Sequence, residues 1–346
     1  MEENVPLGPM TTLGVGGPAK YFVEIKTEAE LVEAVAWART ASLPVFVLGG
    51  GSNLLVADSG FDGVVLKMAI SAPVMFEEVA EFVQCNVAAG VDWDVCVLAA
   101  CERGLSGVEC LAGIPGLVGG TPVQNVGAYG QEVAETIVAV RALDLETMEF
   151  VALSAAQCGF GYRKSIFNTT ERGRYIVTQV TFRFAPQRSL ELKYAELQRH
   201  FEGNAPTPME VYHAVREIRH RKGMLLVEGD ADCRSAGSFF KNPVVTEAVF
   251  AAVVEISRVA APAVPHWTAS EGQVKLAAAW LVEQAGFHKE FAMGRAGISS
   301  RHTLALVNRG GATAGEIVAL RDAVQRSVEE RFGVRMEQEP VGLGLG

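Results

Sequence analysis

Residues 110–133 read CLAGIPGLVGGTPVQNVGAYGQEV, and this stretch constrains the fold of the 346-residue chain more than any other. Glycines stand at 113, 116, 119, 120, 127 and 130, with Pro115 and Pro122 fixing turns among them. Ordering so many unrestrained backbones costs more conformational entropy than an ordinary loop does. The run makes physical sense where a backbone passes close to a large flat ligand or its phosphates. Gln124, Asn125 and Tyr129 supply polar contacts in the same stretch. A second run, VFVLGGGSNLLV, ends a strand at Leu48 and then removes three side chains at Gly49, Gly50 and Gly51 before Ser52 and Asn53. Consecutive glycines let backbone N–H groups turn toward an anion, although a tight turn needing positive φ also explains a triple glycine. Neither this run nor GVGGP at 14–18 has the G-x-G-x-x-G spacing of a dinucleotide fingerprint, so a Rossmann fold is not indicated.

Composition narrows the function classes. The formal net charge of -10 argues against nucleic acid or anionic lipid as the main partner, while leaving room for a local pocket that takes a small anion. The opening residues MEENVPLGPM are acidic and lack the basic and apolar regions of a signal peptide. No run of about 18 apolar residues occurs, so no membrane span is expected. The six cysteines, at 85, 96, 101, 110, 158 and 233, form no C-x-x-C pair. Isolated thiols in a reducing cytoplasm, with no metal site, are the expected reading.

The pattern along the chain predicts an α+β protein. YFVEI, VFVL, GVVLKM and FVQCNVAAG read as strands. Thr27 and Glu30 have capping-box spacing ahead of a helical face of Leu31, Val32 and Val35, and a second helix is expected over Asp92 to Glu102. ETIVAVRALDLETMEFVAL and RYIVTQVTFRF read as hairpin-like extended runs. ELKYAELQRHF and MEVYHAVREIRHRKG read as helices around a turn at Pro206 and Pro208. KLAAAWLVEQAGF predicts a helix closed by Gly286, and HTLALVNRG predicts a strand. TAGEIVALRDAVQRSVEERFG is the clearest helix, capped by Thr313 and Glu316 and stopped at Gly333.

Six segments in order carry a family resemblance: GGGSNLLV, LAGIPGLVGGTPVQNVGAYGQEV, CGFGYRKSIF, AGSFFKNPVV, KLAAAWLVEQAGF and FGVRMEQE. Together they resemble UDP-N-acetylenolpyruvoylglucosamine reductases, the MurB family, over roughly residues 10 to 339. LELKYAELQRHF is similar to the tyrosine-bearing segment of the long, type I branch. The resemblance implies an FAD-binding region of the vanillyl-alcohol-oxidase (PCMH) type over residues 1–190, built as two α+β subdomains. It further implies a linking segment over 191–223 and a smaller α+β substrate domain with the catalytic tail acid over 224–346. It assigns FAD to both glycine runs: Gly49, Gly50, Gly51, Ser52 and Asn53 at the pyrophosphate, then Gly113, Pro115, Gly116, Gly119, Gly120, Gln124, Asn125, Gly127, Ala128 and Tyr129 along the flavin and ribityl chain. No histidine precedes His200, so the expected FAD is non-covalent.

The reaction implied is reduction of the enolpyruvyl ether of a UDP-sugar to UDP-N-acetylmuramate for peptidoglycan precursors, with NADPH as hydride donor through FAD. Such chemistry needs a cation near the substrate carboxylate and an acid for the final proton. By itself Arg163 in GYRKS reads equally as a strand-end ion pair or as a planar fork for a carboxylate. Ser238 in AGSFFKNP reads by itself as a cap or turn hydroxyl, and no G-x-S-x-G elbow surrounds it. The resemblance makes Arg163 the electrophilic cation, Ser238 the proton donor and Glu339 the orienting acid. The tail MEQEPVGLGLG departs from the family at Gln338, where proline is usual, and at Pro340; it reads as stopping without a further strand, and Glu337 is the alternative acid. The resemblance gives Tyr194, Lys222 and Asn242 substrate contacts, although KGMLLVEGDADC replaces the usual Lys-Leu-Pro-Asp-Pro run after Lys222. A monomer with a UDP-sugar enolpyruvyl ether as its small-molecule partner is expected. Another FAD-dependent oxidoreductase of this fold, or a non-catalytic nucleotide-sugar-binding protein, is the alternative.

Overall fold

The computed structural model describes residues 1–187, 190–258, 263–269 and 271–345. Helices and strands mix along the chain in an α+β architecture, as expected. Two compact units form, each from separate stretches of sequence. The first holds Met1–Asn4, Lys20–Gly50 and Asp62–Arg221; the second holds Val5–Ala19, Gly51–Phe61 and the chain from Lys222 onward.

The first unit is organised by the long strand Tyr175–Pro186. It pairs antiparallel with Ile137–Asp144 on one side and Phe82–Ala88 on the other. Glu149–Ser154 and Met75–Val79 extend the sheet at its two edges. Val180, Phe182 and Phe184 are two apart, share one face and are fully buried. The helix Trp93–Cys101 shares their core, with Trp93, Cys96, Val97 and Ala100 buried at helical spacing and the Trp93 ring 5.8 Å from that of Phe182. Each such large apolar side chain, taken fully out of water, contributes roughly 1.5–3 kcal/mol. Asp92 starts the helix by accepting from the N–H groups of Asp94 and Val95. A parallel pair, Val45–Leu48 with Phe61–Met68, lies in a second sheet, preceded by the helix Glu28–Thr40 with its Thr27–Glu30 capping box.

The second unit has its own core. The helix Ala314–Phe332 buries Ile317, Leu320, Val324, Val328 and Phe332. It opens on a Thr313–Glu316 capping box and closes at Gly333, whose φ of 65° is left-handed. Asp58 adds a carboxylate at the helix start, accepting from Ala314 N–H at 2.7 Å and Gly315 N–H at 2.9 Å. A three-stranded sheet, Ala292–Met293, Ala296–Ile298 and Leu306–Asn308, packs with this helix. Another, Val244–Thr246, Gln273–Leu276 and His266–Thr268, lies against the helix Glu247–Ser257.

Four local readings change. Lys275 and Leu276 belong to a strand, and the helix read from them begins only at Ala278, because sheet pairing with Val244 and His266 overrides helical periodicity. The helix around Tyr194 is Ala195–His200, with Tyr194 outside it as N-cap. The strand read over HTLALVNRG shortens to Leu306–Asn308. The tail does not stop after Pro340: Val341–Leu343 is a strand running parallel to Leu54–Val56. Its glycines disguise it, and its partner lies far away in sequence. The six cysteines are all free and buried. Among the described residues no helix is long and apolar enough to cross a membrane.

Candidate active site

In the first unit the two glycine runs meet. A Cβ on Gly50 would lie 2.7 Å from the Gly116 Cα, so backbone touches backbone there. Gly119 packs as tightly, since its Cβ would lie 2.6 Å from the Ala89 Cβ. Gly49 and Gly120 differ: a Cβ on either would meet no atom of the described residues within 4 Å, and neither has the positive φ that calls for glycine. Gly161, just before Tyr162 and Arg163, behaves in the same way. Neither packing nor backbone conformation explains glycine at these three positions. A ligand lying against the backbone would account for them, and the residues present fit a bound cofactor.

A buried network holds the second run in place. Gly113 N–H donates to Asp94 Oδ1 at 2.6 Å, and its carbonyl accepts from Arg219 Nε at 3.0 Å. Arg219 is only 6% exposed, and burial pushes its pKa down. Arg216 pairs with Asp94 as well, and the Tyr212 hydroxyl donates to it at 3.1 Å. Lys67, whose pKa burial also lowers, donates to the Gly49 carbonyl. Asn125 has its side chain committed to protein: Nδ2 donates to Glu132 Oε2 at 2.7 Å and to the Gly161 carbonyl at 3.0 Å, while Oδ1 accepts from Ala134 N–H at 3.1 Å. That amide therefore ties the glycine run to the loop bearing Arg163.

Arg163 sits in a tight turn closed by two hydrogen bonds of 3.0 Å between Gly161 and Lys164. Its φ of 54° is left-handed, a region that costs a side-chain-bearing residue on the order of 1–2 kcal/mol. Two bonds hold the conformation. Arg163 Nη2 donates to the Gly127 carbonyl at 2.7 Å, and the Arg163 carbonyl accepts from Asn168 Nδ2 at 3.0 Å. Tyr129 and Tyr194 come together edge to face, with centroids 5.3 Å apart. Burial pushes the Tyr129 hydroxyl up to about 12, so it stays protonated at neutral pH.

In the second unit the stretch AGSFFKNP shows why a serine stands between glycine and two phenylalanines. Gly237, with φ of 69°, turns the chain. Phe239 and Phe240, 0% and 2% exposed, anchor the segment in the core. Ser238 is left half-buried, its Oγ 3.4 Å from His302 Nε2. The tail runs back antiparallel beside it: Lys241 N–H donates to the Glu337 carbonyl and Glu339 N–H to the Phe239 carbonyl, at 2.9 and 2.8 Å. Asn53 completes the arrangement, its Nδ2 donating to the Glu339 carbonyl at 3.3 Å and its own carbonyl accepting from Val341 N–H at 2.9 Å. The two tail acids separate here. Glu337 has a side chain 73% exposed and paired with Lys241, whereas Glu339 is half-buried. Asn242 Oδ1 accepts from Ala278 N–H at 2.9 Å, capping a helix, and Lys222 follows the helix Pro208–Arg221 at the start of the second unit.

Comparison with known proteins decides the family. Residues 229–343 match the C-terminal domain of UDP-N-acetylenolpyruvoylglucosamine reductase, and residues 19–152 match an FAD binding domain. The UDP-N-acetylenolpyruvoylglucosamine reductase of Thermobifida fusca is 45% identical over 99% of this chain and 98% of its own. That of Streptomyces coelicolor is 45% identical over 99% of this chain and 90% of its own. The crystal structure of the Thermus caldophilus reductase superposes with a TM-score of 0.67 at 27% identity, covering 99% of this chain and 98% of that one. The chain belongs to the UDP-N-acetylenolpyruvoylglucosamine reductase family. It is an oxidoreductase with an FAD-binding domain, and the family uses FAD and NADPH.

Several residues of this reductase escape a reading of the sequence. Gly161 carries a signal, a glycine beside the arginine of GYRKS, but one too short to stand out. Asp94 and Arg219 read only as parts of helices. Gln338 is legible only as a departure from the family's proline; its amide is held at both ends, accepting from Arg321 Nη1 and donating to the Pro340 carbonyl, each at 2.9 Å. His302 has no local signal at all.

Proposed function

We propose that this chain reduces the enolpyruvyl ether of UDP-N-acetylglucosamine to UDP-N-acetylmuramate, supplying a peptidoglycan precursor, with NADPH as electron source and FAD bound without a covalent link. The observation that carries the reading is the turn at Gly237. It leaves a half-buried serine hydroxyl beside a tail strand whose half-buried acid, Glu339, is bonded to the next residue, Phe239. An oxidase of small alcohols gives these groups no joint role.

Gly49, Gly50, Gly51, Ser52, Asn53 and the run from Gly113 to Tyr129 would hold FAD, with Gly49 and Gly120 as the positions where open backbone meets it. Bound there, FAD would supply the relay of hydride from NADPH to the substrate carbon β to the carboxylate. Arg163 supplies a fixed positive charge for the carboxylate, whose negative charge grows as the double bond is reduced. Ser238 gives its hydroxyl proton to the α carbon, and Glu339 orients the reacting group. Tyr194, Lys222 and Asn242 bind the UDP-sugar. Asn242 does so from a position where its carbonyl oxygen already caps Ala278, leaving its amide hydrogens for a ligand. Working as a monomer in the cytoplasm is part of the same proposal.

The test is spectroscopic. Purified protein should be yellow, bleach with NADPH, and regain colour when the enolpyruvyl UDP-sugar is added, with a product heavier by two hydrogens. Acid precipitation should release the flavin into the supernatant. A protein that stays bleached with this substrate but reoxidises with a small-molecule oxidant is a different flavoprotein.

A further inference from the structure

A serine hydroxyl carries one hydrogen and two lone pairs. If Ser238 delivers that hydrogen to a carbon, its oxygen must be engaged by a donor rather than an acceptor. An acceptor would turn the hydrogen away from the substrate. His302 Nε2 lies 3.4 Å from Ser238 Oγ, a long contact of the kind that tightens when substrate arrives. The pairing is built into the fold. His302 lies in the connection between the strands Ala296–Ile298 and Leu306–Asn308. Fully buried Ser299 fixes that connection, its Oγ accepting from the N–H groups of Arg301 and His302 at 3.1 and 3.2 Å. The residues flanking His302 are anchored too: Arg301 Nε donates to Asp232 Oδ2 at 2.9 Å, and Thr303 Oγ1 to Glu283 Oε1 at 2.5 Å. The serine segment is fastened to the same connection one step on, where Phe239 N–H donates to the Leu304 carbonyl at 2.8 Å.

We propose that His302 is a positioning residue for the proton transfer, donating Nε2–H to Ser238 Oγ so that the hydroxyl hydrogen stays directed at the substrate carbon. The inference rests on the reading of Ser238 as proton donor. In the step, the O–H bond of Ser238 breaks and a C–H bond forms at the α carbon. The electron pair stays on Oγ, where Nε2–H stabilises it, and a proton from water restores the hydroxyl afterwards. Nothing in this role requires His302 to change its charge.

The experiment compares three substitutions in the FAD-loaded protein by stopped flow. His302→Ala should leave flavin reduction by NADPH unchanged and slow reoxidation by the enolpyruvyl UDP-sugar by about tenfold or more, as loss of a donor to a developing negative charge does. His302→Gln, whose amide N–H still donates, should recover most of that rate. His302→Glu, which only accepts when ionised, should recover none. In the unliganded protein, the ¹⁵N signals that disappear in His302→Gln should show the proton on Nε2. A normal reoxidation rate in His302→Ala, equal rates in the Gln and Glu variants, or an Nδ1–H tautomer would each overturn the proposal. Should the alanine variant fail to fold, the Gln–Glu comparison and the nitrogen spectrum still decide. Ser238→Ala is the control: a normal rate there removes Ser238 as the donor and His302 with it, whereas a slow Ser238→Ala beside normal His302 variants removes only His302.

Discussion

The two units present their assigned residues in opposite ways. In the first, the informative positions are ones where a side chain is missing: Gly49, Gly120 and Gly161 face space that none of the described residues fills. In the second, the informative positions are individual side chains, Ser238, His302 and Glu339, each set by a backbone hydrogen bond nearby and by the buried rings of Phe239 and Phe240. Backbone laid bare suits a large cofactor held along its length. A few fixed side chains suit the addition of one proton to one carbon. Arg163 is the exception in the first unit, a charged side chain in a strained turn. The comparison predicts that substitutions in the second unit and at Arg163 change rates, while substitutions at the open glycines change cofactor binding.

The largest effect is expected at Ser238. Ser238→Ala removes the proposed acid and leaves the NADPH step alone, so stopped flow should show normal flavin reduction and reoxidation slowed by about 10²–10⁴-fold, the usual span for a positioned acid. Ser238→Cys should recover part of it. A hydroxyl serving only the turn would instead lower stability by about 1 kcal/mol and slow neither half-reaction per folded molecule.

Arg163→Lys comes next, at roughly 2.7–4 kcal/mol in the reoxidation step by analogy with loss of an oxyanion donor. One arm of the guanidinium is already bonded to the Gly127 carbonyl. A lysine has a single terminal nitrogen and cannot hold that carbonyl while presenting a fork to a carboxylate. Flavin content should stay native. Near-normal turnover would make Arg163 a structural residue of the turn.

Adjacent glycines sharpen the contrast. Gly119→Ala forces a methyl against Ala89 and should destabilise the apoprotein by about 1–3 kcal/mol. Gly120→Ala meets no atom of the described residues, so the apoprotein should hold its stability or gain about 0.4–1 kcal/mol. FAD, however, should bind Gly120→Ala about tenfold more weakly, a loss of about 1.4 kcal/mol by titration of the apoprotein. Equal FAD affinity would mean that the open face of Gly120 is not where the cofactor lies.

Legibility from sequence tracks the range of the interactions. The capping boxes at Thr27 and Thr313 and the apolar faces behind them are local patterns, and they appear where expected. The hairpin of Ile137–Asp144 with Glu149–Ser154 is equally legible from alternation. The tail strand is not, because Val341–Leu343 is glycine-interrupted and its partner Leu54–Val56 lies almost the whole chain away. Between the two tail acids the family pattern favours Glu339, but their surroundings are not legible: Glu337 is exposed and paired with Lys241, and Glu339 is half-buried. His302 is 64 residues from Ser238, and RHTLALVN reads only as a strand; the bond from Phe239 to Leu304 brings the pair together.

The smallest expected effect tests how much the frame of the first unit depends on a single partly solvated ion pair. Glu28 opens the helix Glu28–Thr40 and accepts from Arg141 Nε at 2.8 Å and from the Thr178 hydroxyl at 2.7 Å, joining the helix to the central sheet. The hydrogen bond from Arg141 is the main reason its carboxyl lies below the ordinary 4.5; burial opposes the shift, and Thr178 and the arginine charge add to it. A carboxyl depressed in the folded state binds fewer protons there than in the unfolded chain, so its contribution is fully present above about 4.5 and fades as pH falls through the lower folded value. The pair is partly solvated, with side chains 41% and 32% exposed, which limits the contribution to about 0.2–1 kcal/mol. Glu28→Gln should therefore lower stability by that much in urea unfolding at pH 7, and the difference from wild type should shrink as the pH is brought below 4.5. A difference that persists unchanged into acid would mean that the glutamine fails by packing at the helix start, and that the charge on Glu28 contributes nothing to holding the helix on the sheet.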